Sequence, residues 1–172
     1  MQDVDIVNGH SRAYGFESKA SVQLLLRSLT LDGGITRVGN AFFRDTSPRV
    51  YLDSAPCVVA NADLTLSDYR DWTGSLRQRH TSNYRLDGEE DAGIRASKHN
   101  VLDLSLSKRV PLPRVDFNLS TDNLTKKRYF ETQNIFESRL RPNDSIVSRT
   151  HGTPGYPLGV IAGLNISPVL CL

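Results

Sequence analysis

Side chains that could carry out chemistry are scattered through this chain of 172 residues rather than grouped in motifs. No nucleophile stands beside a general base in a recognisable catalytic pattern, so we expect no enzymatic activity. The four histidines are far apart and have no spacing typical of a metal or haem site: His10, His80, His99 and His151. We therefore predict neither a metal site nor a cofactor.

The two cysteines, Cys57 and Cys171, are also far apart and form no metal-binding pattern. We interpret them as unpaired thiols, whose role the sequence does not indicate. The acidic run from Asp87 to Asp91 lacks the ligand spacing of a calcium-binding loop. We interpret this run as a solvated loop.

In the segments that would position these residues, apolar and polar side chains alternate with a period of two. Leucine occupies every second position of Val101-Leu102-Asp103-Leu104-Ser105-Leu106-Ser107, and the segment from Val115 to Asp122 alternates in the same way. Since successive side chains of a strand point to opposite faces, each segment has one apolar and one polar face. The pattern predicts an all-β chain.

About seven such segments follow one another, which predicts an antiparallel up-and-down meander. The connections alternate between short and long, and we expect one helical turn between Arg128 and Phe136. Pro154-Gly155 fits the centre of a type II turn, where glycine supplies the positive φ. We place the strands at about residues 12–26, 29–43, 58–66, 72–84, 99–110, 114–124 and 158–166.

The alternation fits two different surroundings. In a soluble antiparallel β-barrel or sandwich the leucine faces form the core, and such a protein binds a small apolar ligand. In a segment of a larger transmembrane β-barrel the leucines contact lipid, and the polar face lines a hydrated lumen. Strand lengths near ten residues favour the membrane barrel, as do aromatic residues near strand ends, namely Tyr69, Trp72, Tyr84, Tyr129 and Phe130.

Charged residues fit the same interpretation. Arg77 and Arg79 point to the same side as Asp103 and Asp116 on other strands, so we expect cross-strand ion pairs. The basic run Lys126-Lys127-Arg128 lies beside a strand end, and a net charge of +2 is too small to favour nucleic acid. We interpret the run as a cluster at the membrane interface or facing lipopolysaccharide.

Several segments resemble one known family. The stretch Asp122-Asn123-Leu124-Thr125-Lys126-Lys127-Arg128-Tyr129-Phe130-Glu131-Thr132-Gln133-Asn134 strongly resembles the penultimate strand and last outer loop of TonB-dependent outer-membrane receptors. His151 to Pro157, followed by the alternating Gly159 to Leu164, is similar to the end of the same barrels. Earlier segments occur in the order typical of the family: Tyr14-Gly15-Phe16-Glu17, Ala55 to Asn61, and Val101-Leu102-Asp103-Leu104.

The resemblance implies outer-membrane uptake of a scarce nutrient such as a ferric siderophore. Receptors of this family are 22-stranded barrels with a plug domain in the lumen, energised through the TonB protein. For the full-length receptor, the resemblance implies a place in the cell outer membrane. The implied partners are outer-membrane lipid, the plug domain, the TonB protein and a small-molecule nutrient, and no nucleic acid is expected.

The chain corresponds only to the C-terminal part of such a barrel. We expect residues 1–166 to form this barrel segment and residues 167–172 to be an atypical tail without the family's terminal aromatic residue. No signal sequence is visible at the start, which lacks a basic and an apolar region. Because an open sheet has unpaired edges, we expect the isolated chain to be a fragment that does not transport.

The sequence does not name the nutrient. The last long loop contains three arginines whose positive charge suits an anionic ferric complex. These candidate ligand-binding residues are Arg139, Arg141 and Arg149.

Overall fold

A computed structural model of the chain describes residues 10–25, 28–47, 50–52, 55–87, 93–110 and 115–166, except for the side chain of Asn40. The described residues form strands and connections. Within these ranges, no helix has the length and apolar character needed to cross a membrane. The predicted tail at 167–172 lies outside the described residues, as does most of the acidic run after Asp87.

Seven long strands form one antiparallel sheet. Their spatial order follows the chain, apart from two short hairpins inserted between them. The sheet contains β1 (Ser11–Gln23), β2 (Leu29–Phe43), β3 (Val58–Tyr69), β4 (Trp72–Thr81), β7 (His99–Val110), β8 (Val115–Asp122) and β11 (Gly159–Ile166). The hairpins pair β5 (Tyr84–Arg85) with β6 (Arg95–Ala96), and β9 (Phe130–Ser138) with β10 (Val147–Pro154). The predicted antiparallel meander of about seven strands is confirmed.

The turn between β3 and β4 is tighter than the sequence suggested. Tyr69 pairs with Trp72, so only Arg70 and Asp71 lie in the turn, with φ of 50° and 64°. Positive φ at both central positions is the geometry of type I′ hairpins, which matches the twist of the flanking strands. A register shift between Leu66 and Tyr69 lets β3 continue past its predicted end at residue 66.

The two long connections contain strands that the sequence analysis missed. The stretch from Arg128 to Phe136 is not a helical turn, because β9 begins at Phe130 and pairs with β10. Likewise, Tyr84 begins the short β5 rather than ending β4, which stops at Thr81. A hairpin that supplies its own hydrogen-bond partner satisfies the backbone of a long loop without help from the main sheet.

One face of the sheet, which we call the apolar face, carries an uninterrupted row of aliphatic side chains. Cross-strand pairs place these residues side by side on five neighbouring strands, and residues opposite each other in such pairs share a face. The row consists of Val22, Leu31, Leu64, Leu76 and Leu104. A second row runs alongside it through Leu29, Leu66, Gly74, Leu106, Leu119 and Ala162.

The opposite face, which we call the polar face, carries hydrophilic rows in the same register. One row contains Asp32, Asp63, Arg77 and Asp103, and the next contains Thr30, Thr65, Ser75, Ser105 and Ser120. The hydroxyls of Ser75 and Ser105 lie 2.9 Å apart across two strands. The sheet therefore separates apolar from polar side chains from β2 to β8, whereas Ile161 of β11 lies opposite Ser120 on the polar face.

The apolar face remains uncovered in the described part of the chain. Val22, Val160 and Leu164 are 50%, 61% and 60% exposed. The chain has 13182 Å² of accessible surface, whereas a compact soluble chain of this mass exposes roughly 8,400 Å². The leucine core required by a soluble barrel or sandwich is not present among the described residues.

Candidate functional site

Ion pairs join neighbouring strands across the polar face. Arg77 on β4 pairs with Asp63 on β3, and Arg79 Nε lies 3.3 Å from Asp103 Oδ2 on β7. Asp116 pairs instead with Arg109, whose Nε lies 3.5 Å from Asp116 Oδ1. The expected cross-strand pairing is confirmed for Arg79 and Asp103. Arg77 lies opposite Asp63 on one neighbouring strand and Asp103 on the other, and its ion pair is with Asp63. Asp116 lies opposite Arg109, so its partner is neither Arg77 nor Arg79.

The Arg79–Asp103 pair belongs to a larger group at the end of the sheet from which the long connections leave. Arg79 Nη1 lies 3.7 Å from Glu131 Oε1, and the Tyr129 hydroxyl donates a hydrogen bond of 2.8 Å to the same oxygen. We call the group formed by Arg79, Asp103, Asn123, Tyr129 and Glu131 the loop-end cluster. It fastens the connection between β8 and β9 to the polar face of β4 and β7.

Asn123 is the central anchor of this connection. Its side chain is 1% exposed, and its N–H donates to Asp103 Oδ1 at 2.9 Å. Its amide group donates to the carbonyls of Lys127 and Tyr156, at 2.7 and 3.0 Å, and its Oδ1 accepts from the Lys127 N–H at 2.9 Å. Its φ of 51° is a backbone conformation that asparagine tolerates better than most residues.

Tyr129 packs inside the connection rather than at an aromatic girdle. Its side chain is 9% exposed, its ring centroid lies 5.0 Å from that of His99, and it covers Gly155 so closely that a Cβ there would overlap the ring. Burial, followed by the hydrogen bond to Glu131, raises the pKa of the Tyr129 phenol. This contact leaves no room for a side chain at position 155. The predicted type II turn is wrong, since no described glycine has a positive φ.

Tyr84 likewise departs from the expected girdle position. It is 8% exposed and packs with Leu86 and Ala96, with Ile135 beside them. Its hydroxyl contacts the backbone of Gln133 on β9, so the two inserted hairpins are joined. Tyr69, Trp72 and Phe130 remain 41%, 38% and 43% exposed, as the girdle interpretation requires.

All three predicted arginines lie on the β9–β10 hairpin. Arg139 and Arg141 are exposed at its tip, where Arg139 Nη1 donates to the Pro142 carbonyl at 3.0 Å. Arg149 lies on β10 opposite Phe136, and its buried Nε has no hydrogen-bond partner among the described residues. Their contact with a ligand stays a prediction.

Among the described residues, no group of histidine, cysteine, aspartate and glutamate side chains is arranged to hold a metal ion. Cys57 is a free, exposed thiol, and Cys171 lies outside the described ranges. The loop-end cluster contains one guanidinium and two carboxylates, and both carboxylates are held by Arg79 and by hydrogen bonds from Asn123 or Tyr129, which suits a positioning role. From the sequence, Asn123 and Glu131 belong only to the segment that resembles a receptor family, and Tyr129 also to the aromatic residues near strand ends. The informative signal for Asn123 was its position immediately after a strand.

Comparison with known proteins identifies one informative structure. No family model matches the chain, and no curated protein matches it. The crystal structure of the ferric yersiniabactin uptake receptor FyuA from Yersinia pestis is similar, with a TM-score of 0.60 and 19% sequence identity. The match covers 88% of this chain and 23% of that receptor. The likeness shows the fold, and the predicted segment of a larger β-barrel is confirmed at that level.

Proposed function

We propose that this chain is the C-terminal barrel portion of a TonB-dependent outer-membrane receptor that takes up a ferric siderophore or a similarly scarce ligand. The observation that carries the proposal is the aliphatic row from Val22 to Leu104, which crosses five neighbouring strands and in which no side chain is buried. Lipid hydrocarbon is the medium that suits such a surface, because it removes the row from water without a second protein layer. The fold shared with a segment of FyuA supports the same conclusion.

The two ends of the sheet differ as they do in outer-membrane barrels. The turn at Arg70 and Asp71 is flanked by Tyr69 and Trp72, while the hairpins β5–β6 and β9–β10 extend the connections at the opposite end. Barrels of this type have short turns on the periplasmic side and long loops outside. The hairpins and the loop-end cluster therefore belong to the outer side.

In the full-length receptor, the polar face turns towards the lumen and the plug domain. Its ion pairs and hydroxyl rows suit a hydrated channel, in which charges are screened and hydrogen bonds are satisfied by water. TonB acts on the plug, so we place no TonB contact on this chain. The nutrient meets the outer hairpins, where Arg139, Arg141 and Arg149 supply positive charge.

Transport requires more strands than this sheet contains. β1 and β11 are the two outermost strands, so each presents one edge that no other described strand pairs with. Unpaired backbone groups cost several kcal/mol each in hydrocarbon, of the order given by transfer to apolar media. The remaining strands of a complete barrel would pair with these edges, and the chain alone acts as a fragment that does not transport.

A hybrid receptor tests the proposal. Residues 11–166 replace the structurally matched segment of FyuA, and the hybrid is produced in cells that lack FyuA. We expect the hybrid in the outer-membrane fraction, with a gel mobility that decreases on boiling, as for a folded barrel. Recovery of the hybrid in the soluble fraction, with detergent-independent binding of an apolar dye, would support the soluble alternative instead.

The arginine prediction is tested in the same hybrid. Substitution of Arg139, Arg141 and Arg149 by glutamine should weaken binding of an anionic ferric siderophore, measured by quenching of intrinsic fluorescence. The matched control removes three charges elsewhere, through Lys126→Gln, Lys127→Gln and Arg128→Gln. Equal binding by both triple variants and the parent hybrid would exclude the three arginines from the ligand site.

A further inference from the structure

A basic depression of about 880 Å³ opens where β8 ends and β11 begins. Four cationic residues line it, and none of its described lining residues is acidic. We call these four residues the rim cations: Lys98, Lys126, Lys127 and Arg128. Aromatic and proline side chains complete the wall, including Phe130, Tyr156 and Pro157.

The rim cations have no ion-pair partner in the part of the chain that the structure describes. All four are exposed, and none forms an ion pair with another described residue. Like charges held close together repel one another, which is unfavourable unless an anion lies between them. The charge of the depression is therefore complementary to an anionic group.

Three of the rim cations, Lys126, Lys127 and Arg128, lie on a turn whose backbone is held in place. Asn123 makes three side-chain hydrogen bonds around the turn that leads to Lys127, and Lys126 adopts a φ of 53°. A non-glycine residue in this left-handed region is uncommon and persists only where the surrounding structure enforces it. The turn therefore fixes the backbone from which these cationic side chains extend.

Part of the lining of the depression continues the apolar face of the sheet. Leu158 continues the alternating series of Val160 and Ala162, which lies on the apolar face, and it is 40% exposed. Glu131 contacts Arg79 on the polar side, so its neighbour Phe130 points the other way. Lys98 precedes β7 in the series that contains Leu102 and Leu104.

We propose that the rim cations bind the phosphate groups of a lipopolysaccharide headgroup in the outer leaflet. The combination of lysine, arginine and aromatic side chains beside an apolar surface is typical of the membrane–water interface. Exposed Phe130 and Leu158 would contact the acyl region, while the cations reach the phosphates above it. A soluble anion would leave this apolar part of the wall exposed to water.

The inference rests on the proposed membrane location but not on nutrient uptake, so lipid A binding and uptake can fail separately. The test titrates bisphosphorylated lipid A into the full chain in zwitterionic detergent micelles. Since each basic residue near an anionic surface contributes about 1 kcal/mol, Lys126→Gln with Lys127→Gln should weaken binding on the order of 30-fold. Lys126→Arg with Lys127→Arg should retain binding, and added salt should weaken it.

The matched control is Arg139→Gln with Arg141→Gln, which removes two charges at the same end of the sheet but outside the depression. This control should bind lipid A like the parent chain. Equal weakening by both double variants would show a non-specific charge effect and overturn the proposal. The proposal would also be overturned if Lys126→Gln with Lys127→Gln left lipid A binding unchanged but abolished binding of an anionic ferric siderophore by the hybrid receptor.

Discussion

The Tyr84 hydroxyl both donates to the Gln133 carbonyl, at 3.0 Å, and accepts from the Gln133 N–H, at 2.8 Å. A single side chain thus replaces a neighbouring strand along the edge of β9. The Gln133 side chain completes the link, since its Oε1 accepts from the Ser97 N–H at 2.7 Å. The two inserted hairpins are therefore joined into one outer unit.

Tyr84→Phe should remove the hydroxyl link between the two hairpins without changing the apolar packing of the ring. Both backbone groups of Gln133 would lose their partner, and each buried unsatisfied group costs about 1–3 kcal/mol. We expect amide hydrogen exchange at Gln133 to accelerate at least about tenfold, since 1.4 kcal/mol corresponds to that factor. Tyr69→Phe, at an exposed tyrosine, serves as the control, and unchanged exchange in Tyr84→Phe would refute the link.

Asn123→Ala should be among the most destabilising single substitutions in the chain. It removes three side-chain hydrogen bonds and places alanine at φ of 51°, so we expect a loss of about 3 kcal/mol or more in the free energy of unfolding. Asn123→Gly keeps the backbone conformation accessible and should lose less. Urea unfolding in detergent micelles measures both, with Asn118→Ala as the control. An unfolding midpoint for Asn123→Ala equal to that of Asn118→Ala would contradict the anchoring role.

Tyr129 should make the connection between β8 and β9 less stable at alkaline pH. Burial, and then the bond to Glu131, raises the pKa of this phenol above its usual value of 10.0. The neutral phenol is thus favoured in the folded chain, so its contribution is complete below the unfolded pKa and is lost as pH rises through the folded pKa. Absorbance titration of tyrosinate should show a late component that Tyr129→Phe removes. Glu131→Gln should lower that pKa only in part, because burial, the larger cause, remains.

The turn between β3 and β4 contains strain that glycine would relieve. Asp71→Gly should stabilise the chain by about 1 kcal/mol relative to Asp71→Ala, because only glycine adopts φ of 64° without penalty. Both substitutions remove the same exposed ion pair with Lys108, which contributes little. Comparison of their thermal unfolding midpoints isolates the backbone effect, and equal midpoints would argue against the type I′ geometry.

The strands of the main sheet were predictable because their signal is local. Alternation in Val101 to Ser107 follows from one strand with two different faces, and the predicted bounds of β2 and β7 match those observed. The hairpins β5–β6 and β9–β10 lack that signal, since they lie outside the main sheet and its two faces. Their pairing depends on contacts such as Tyr84 with Gln133, which join residues 49 positions apart.

The loop-end cluster could not be predicted from the sequence for a related reason. Arg79 and Asp103 could be paired from the alternation of adjacent strands, but Glu131 reaches Arg79 only because the connection after β8 folds back over the polar face. That return depends on the left-handed conformation at Asn123, which composition does not reveal. Gly155 was misassigned to a turn because the feature that requires glycine there, the adjacent Tyr129 ring, is a tertiary contact.

The most direct test of the account asks what surrounds neighbouring residues of β7. Leu104 lies on the apolar face and Ser105 on the polar face. Each is replaced by cysteine in a Cys57→Ser, Cys171→Ser background, and a fluorescent probe is attached in liposomes. The account predicts that a lipid-bound quencher reaches the probe at position 104, while aqueous iodide reaches the probe at 105. A probe at 104 shielded from both quenchers would show a packed protein core and contradict the membrane-barrel account.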